Sequence, residues 1–309
     1  MALAGARARP VGGRGRAGWS ARRAQAQAAY LFLLVPLALF VAFRFAPLLH
    51  ALWLSFTDYS VLGQTRWVGW ANYAEALRDE AFRRAVAVTV AYAAAVVLGV
   101  MASGLALAVL LNGVVRGLSW FRAAFYLPVV TSMVVAALLW SWVYDPATGL
   151  ANALLTQVGL PPQNWLQDAR LALPALVLMR VWKGAGYHMV IYLAALQTVP
   201  RELYEAASLD GAGPWARFRH VTLPMLRFAL LFDFVIATSG ALQSFEEVQV
   251  MTRGGPAGAT TTVVYLVYQN AFDFLRMGYA SAQAFLLMVL IVGLTATGVR
   301  WFRLQGGVP

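Results

Sequence analysis

Six stretches of this chain are predominantly apolar for twenty residues or more, near positions 30–56, 85–111, 120–143, 171–196, 226–245 and 279–301. A helix rises ~1.5 Å per residue, so about 20 apolar residues cross a hydrocarbon core ~30 Å thick. Lipid offers no partner for a peptide group, and a spanning helix satisfies its own. The expected fold is therefore an all-α integral membrane protein with about six transmembrane helices. Hydrophobic residues make up 61% of the 309 and charged ones 12%, a balance that suits a bilayer better than water.

A net charge of +11 in a soluble chain points to nucleic acid, but here the basic residues sort by side of the membrane. Arg7, Arg9, Arg14, Arg16, Arg22 and Arg23 precede the first span with no acid among them. An even number of spans brings Arg300 and Arg303 back to that side, with Arg116, Arg122, Arg201, Arg217, Arg219 and Arg227 in its loops. The opposite loops hold Asp58, Glu75, Asp79, Glu80, Asp145, Asp168 and Asp273. Both termini are thus expected in the cytoplasm, with residues 1–28 as a basic tail against anionic lipid. The first apolar stretch is too long for a signal peptide and lacks an evident cleavage site, so it is expected to be retained.

Absences narrow the chemistry. With no cysteine there is no disulfide, thiol nucleophile or cysteine-based metal site. His50, His188 and His220 are scattered, without metal-ligand spacing, and read as helix-face or interfacial residues. A phosphate-binding loop ends in Gly-Lys-Ser or Gly-Lys-Thr, and the only lysine, Lys183, sits in Trp182-Lys183-Gly184. No bound cofactor is expected, and any ATP hydrolysis belongs to another chain.

The hydrophilic run between the fourth and fifth apolar stretches carries the most specific pattern. Pro200 suits the start of a short helix, with Glu202 and Glu205 near its positive end. Gly211 suits its close, and Pro214 starts a second helix that Pro224 is expected to end. Small residues at Ala206, Ala207, Ala212 and Gly213 leave the backbone open to a partner's groove.

Glu205-Ala206-Ala207, then Asp210-Gly211 and Leu223-Pro224, resembles the EAA loop of the membrane-spanning permease subunits of binding-protein-dependent ABC importers. Further likeness to the sugar-type permeases runs through Pro47-Leu48-Leu49, Leu127-Pro128, Asn164-Trp165-Leu166, Val181-Trp182-Lys183-Gly184, Gly254-Gly255-Pro256 and Gly278-Tyr279-Ala280. The resemblance implies the type I importer permease fold over residues 29–309, with a cytoplasmic coupling-helix loop at 198–224. Glu205, Ala206, Ala207, Asp210, Gly211, Leu223 and Pro224 would then couple the chain to an ATPase. The implied assembly adds a second, different permease subunit, two ATPase subunits holding ATP and magnesium, and an extracytoplasmic solute-binding protein, all at a bacterial-type inner membrane. Its solutes would be sugars or related polar compounds such as polyol phosphates. The rival readings are a secondary carrier driven by an ion gradient and a polytopic membrane enzyme, and neither accounts for the EAA spacing.

Ionisable groups inside spans are costly and need partners or water. Counting ~1.5 Å per residue from opposite faces places Lys183 and Asp233 at matching depths, so the two are expected to pair, with Arg180 the lesser partner. Asp233 and Arg180 stand where the resemblance leads one to expect small or apolar residues. Tyr126, Thr131 and Ser132 in the third stretch, with Gln243 and Ser244 at the end of the fifth, combine rings and hydrogen-bonding groups and are the candidate translocation path.

Overall fold

The computed structural model describes residues 14–60, 63, 65–113 and 117–306. The described residues fall into two compact units that divide between Trp53 and Leu54.

The first unit is one nearly continuous helical path. Helix α1 (Arg14–Phe40) passes through a π-turn at Val41–Phe45 into α2 (Ala46–Leu54). Apolar side chains such as Phe32, Phe43 and Leu49 are exposed around it. A helix that is apolar on all sides and bare in water is solvated by lipid or by neighbouring helices.

The second unit contains α3 (Ala71–Arg78), α4 (Glu80–Leu110), α5 (Leu118–Val130), α6 (Met133–Val143), α7 (Leu150–Gln157) and α8 (Ala172–Leu196). There follow α9 (Arg201–Leu209), α10 (Pro214–Arg217), α11 (Leu223–Met225), α12 (Arg227–Leu242), α13 (Glu246–Met251), α14 (Val263–Tyr268) and α15 (Met277–Gly306). Among the described residues the only strand-like pairing is one bridge, Thr57 to Trp67. Among the described residues, four helical segments are long and apolar enough to cross a membrane: Gln27–Leu54, Glu80–Leu110, Arg227–Met251 and Met277–Arg300. A fifth arises if the bent pair Ser119–Val130 and Met133–Val143 counts as one span. Helix α8 has the length, at 25 residues, but Arg180, Lys183 and His188 in its middle lower its apolarity.

The third apolar stretch departs from the single helix expected of it. Its halves meet at 100°. Pro128 cannot donate to the preceding turn, and Thr131 and Ser132 then take extended backbone angles. The chain turns inside an apolar run, and the freed carbonyls need donors from elsewhere.

Helices α4 and α8 form the centre of the unit, and small residues let them close. A Cβ on Gly104 would lie 2.6 Å from His188 Cβ, and one on Gly186 would overlap the carbonyl of Phe125 in α5. Close backbone approach of this kind replaces hydrophobic driving force in lipid, where apolar contact between helices gains nothing over contact with acyl chains. Gly186→Ala is therefore expected to destabilise the unit by about 1–3 kcal/mol, the cost of overpacking; a thermal midpoint in detergent equal to that of the parent would contradict it. Tyr92, Val96, Val100, Leu176, Met179 and Leu242 fill the shared core. At the end of this core near Asp79, Arg276 holds Glu75 through two hydrogen bonds of 2.7 and 2.9 Å, and the Tyr279 hydroxyl donates to Asp79 at 2.8 Å. These contacts tie α3 and the start of α4 to α15.

Candidate functional site

Two regions are candidates for function: the loop from Thr198 to Pro224, and a cavity beside the middle of α8.

In the loop, α9 begins after Pro200 and ends in a left-handed residue, Gly211, at φ 78°. The N–H of Gly211 donates to Ser208 O at 3.1 Å and that of Ala212 to Ala207 O at 2.9 Å. This double closure satisfies the last carbonyls of α9, and glycine adopts the required φ without a Cβ penalty. The Tyr204 hydroxyl lies 3.0 Å from Thr222 Oγ1, and Arg217 Nη1 donates to Ser208 Oγ at 3.0 Å, so the segment folds back on itself. Its outer face is left uncovered: Leu209 is 89% and Trp215 71% exposed, beside a shallow groove lined by Tyr204, Glu205, Ser208 and Arg217. Glu205, Ala206 and Asp210 are exposed on the same short helix, and Ala207 is half-buried. The expected stop at Pro224 is not observed. Pro224 lies in the first turn of α11, where a missing N–H costs little, and a π-turn at Phe218–Thr222 carries the helical path into it from α10.

The cavity encloses about 370 Å³ and is bordered by α4, α5, α6, α8 and α12. Its walls are apolar at Val96, Val100, Met133 and Ile236 and open at Gly184 and Gly240. Its polar lining comes from α8 alone: Arg180, Lys183, Tyr187 and His188.

The expected pairing of Lys183 with Asp233 is corrected here. Lys183 Nζ donates to the carbonyl oxygens of Pro128 at 3.1 Å, Val129 at 3.4 Å and Thr131 at 2.8 Å. It caps the C-terminal end of α5, where unpaired carbonyls and the helix dipole both favour a cation, and so supplies the donors that the bend requires. Asp233 is fully buried and accepts from His188 Nδ1 at 2.6 Å and from the Tyr192 hydroxyl. His188 and Tyr192 stand four residues apart on one face of α8, and His188 lies about 140° around the helix from Lys183. The partners of Asp233 stand ~7.5 and ~13.5 Å further along α8 than Lys183, so the counted depths did not match, and depth carries no information on rotation about the axis. His188, taken from sequence as a scattered helix-face residue, is instead the buried partner of the one acid within α12.

Arg180 is paired with an acid that sequence reasoning passed over. Its Nε lies 3.9 Å from Glu247 Oε1, and that carboxylate also accepts from the Tyr92 hydroxyl at 2.7 Å. Glu247 is 2% exposed. Two adjacent acids, Glu246 and Glu247, directly after an apolar stretch were the available signal.

The five candidate path residues do not line this cavity. The Thr131 hydroxyl donates to Pro128 O at 2.6 Å, and Gln243 folds its amide onto Ser239 O at 2.9 Å. Ser132 and Tyr126 are exposed beside the bend. Ser244 is buried, its carbonyl accepting from Thr262 Oγ1 at 2.9 Å. The polar ends of spans were used by the helix breaks themselves, which need hydrogen bonds wherever the ladder stops.

A second cleft, of about 420 Å³, lies between Tyr144, Asp145, Gln167, Thr252 and Pro256. Hydrogen bonds from the Thr148 N–H and hydroxyl and the Ala147 N–H hold the Asp145 carboxyl below the ordinary carboxylate range. It is ionised at neutral pH. Among the described residues no group of three or more His, Asp or Glu side chains is placed to hold a metal ion.

If Lys183 caps α5, Lys183→Met removes a charged donor from three carbonyls and is expected to destabilise the bend by roughly 1.5–3 kcal/mol. A cysteine placed at Ser132 should then react faster with a maleimide; an unchanged rate would refute the capping role.

The model of the family described as binding-protein-dependent transport system inner membrane component matches residues 95–302. The probable ABC transporter permease protein YurN of Bacillus subtilis (strain 168) is 36% identical, over 89% of this chain and 95% of its own. The sn-glycerol-3-phosphate transport system permease protein UgpA of Yersinia pestis is 34% identical, over 88% of this chain and 92% of its own. The trehalose/maltose transport system permease protein MalF of Thermococcus litoralis is 33% identical over the same shares. Among solved structures, a chain of a bacterial ABC transporter involved in the import of the acidic polysaccharide alginate superposes with a TM-score of 0.81. That likeness covers 92% of this chain and 98% of the other at 23% identity, and establishes the fold.

Proposed function

The chain belongs to the family of binding-protein-dependent transport system inner membrane components, and from that membership we propose that it forms part of the path by which an ATP-driven importer admits a sugar or related polar solute. It is an ABC importer permease and a membrane-spanning transport subunit. The observation that carries the mechanism is the exposed, self-braced segment at residues 201–224. Its apolar outer residues, Leu209 and Trp215, are bare in the isolated chain. We assign that surface to the cleft of a cytoplasmic ATPase, with Glu205, Ala206, Ala207, Asp210 and Gly211 at the contact and Leu223 and Pro224 joining it to α12.

In the proposed assembly this subunit pairs with a second permease in the inner membrane, with both termini and the basic tail in the cytoplasm. Two ATPase subunits bind ATP and magnesium below, and a solute-binding protein delivers cargo from outside. ATP biases the equilibrium between inward-open and outward-open states only by binding one more tightly, and that difference must pass through the docking segment. Both ends of the segment run into helices that border the cavity, α8 and α12, and Ala108, Tyr192, Leu196 and Leu226 pack together where it joins them, so a shift of α9 has a packed route inward. The relatives' names span glycerol phosphate and neutral disaccharides, which sets the proposed solute class at sugars and polyol derivatives.

Uptake by proteoliposomes holding the whole complex tests this reading. ATP inside the vesicle equivalent of the cytoplasm should drive uptake, and catalytically dead ATPase subunits should abolish it. Uptake that persists without ATPase and follows a proton or sodium gradient would establish a secondary carrier instead.

A further inference from the structure

We propose that the cavity beside α8 binds an oxyanion, the phosphate or carboxylate of an acidic sugar or polyol, with Arg180 as its ligand. The inference rests on the importer reading and narrows its solute class.

Three features of the cavity lead there. First, its charged lining is of one sign: Arg180 and Lys183 face it, and among the described residues no carboxylate does. Of the three nearby acids, Asp233 is withdrawn at 0% exposure behind His188 and Tyr192 and Glu247 at 2% beside Tyr92, while Glu246 is exposed and stands outside the cavity lining. Second, Arg180 is incompletely used. Its side chain is 27% exposed, its contact with Glu247 is long and made through Nε, and neither terminal nitrogen has an oxygen partner among the described residues. Nη1 lies 3.8 Å from the Met133 sulfur. The forked end of the guanidinium, which matches the two oxygens of a carboxylate or phosphate, is therefore free. Third, Lys183 stands one turn along the same face of α8, with its donors committed to the α5 carbonyls. It adds positive potential without competing for the ligand, and two like charges three residues apart are relieved by an anion between them. Gly240 borders the cavity beside the guanidinium, where a Cβ would lie in ordinary contact at 3.9 Å from Nη2. A volume of about 370 Å³ falls in the range of small-molecule sites, roughly 300–1,000 Å³.

The chain has no cysteine, so labelling read on this subunit reports on a single introduced thiol. Ala237→Cys, at the cavity wall in the full complex, is to be labelled with a maleimide in the presence of glycerol 3-phosphate, digalacturonate, glycerol or maltose at matched concentration. Glycerol 3-phosphate or digalacturonate is expected to slow labelling about tenfold, and the one that does so identifies phosphate or carboxylate as the group bound. Glycerol and maltose should leave the rate unchanged. Arg180→Gln alone strands a buried carboxylate, so the decisive variant is Arg180→Gln with Glu247→Gln, which should lose the protection, while Arg180→Lys should keep part of it. Protection by maltose as strong as by the anions, protection by none of the four, or protection that survives the double variant would each overturn the proposal. None of these results bears on ATP dependence, which the proteoliposome assay reads separately.

Discussion

Gly211→Val is expected to reduce ATP-dependent uptake about tenfold or more while the protein still inserts and assembles its helices. Gly211 holds φ at 78°, and a side chain there costs about 1–2 kcal/mol, with a β-branched residue at the upper end. A bias of roughly 2 kcal/mol moves a two-state segment by a factor of about 30. What is lost is the double closure of α9 by the Gly211 and Ala212 amides, and with it the direction in which Leu209 and Trp215 are presented. Space is not the issue, since a Cβ at Gly211 would meet nothing within 4 Å. Gly211→Asn, which tolerates the left-handed region, should therefore restore much of the activity. Gly213→Ala serves as the control, because Gly213 has φ −68° and open space around it. Full uptake with valine at position 211 would remove the docking segment from the mechanism.

The largest loss of stability is expected from Asp233→Ala. That change leaves the His188 ring and the Tyr192 hydroxyl buried without their acceptor, and each stranded group costs about 1–3 kcal/mol. Asp233→Asn keeps an acceptor and should cost less, and Tyr192→Phe, which removes a single donor, about 1–3 kcal/mol. The readout is thermal unfolding of the detergent-solubilised chain. If the alanine variant melts with the parent, the three residues are neighbours without being a network.

The contrast between these two sites shows what sequence reading resolves. Gly211 was legible because its role is local: a short helix, a small-residue face and a glycine at its close follow from neighbouring residues. Apolar length located the helices in the same way, through Glu80–Leu110 and Met277–Arg300. Asp233 was legible as an anomaly, and its partner was not. Depth counted from an assumed membrane entry was off by ~7.5 Å or more, since Asp233 meets His188 and not Lys183, and the face a residue presents depends on how α8 and α12 rotate against each other. The same limit hid the bend between α5 and α6. Pro128 was visible, but a proline in a span is either tolerated or decisive according to whether a donor such as Lys183 stands opposite. Polar residues at span ends were read as a solute path, and in the structure Thr131 and Gln243 satisfy backbone groups at breaks in the helix. Of the cavity's own polar lining, Arg180 and Lys183 stood out in the sequence as charges within a span, whereas His188 did not.

Crosslinking through the docking segment tests the central claim most directly. A cysteine at Ser208, the only thiol in this chain, is to be treated with a short bifunctional maleimide in native membranes, and the crosslinked product identified by mass spectrometry. The account predicts an ATPase subunit joined through Ser208, with a yield that changes when ATP is added. A chain that yields no ATPase product there, yet still accumulates solute in vesicles, would contradict it.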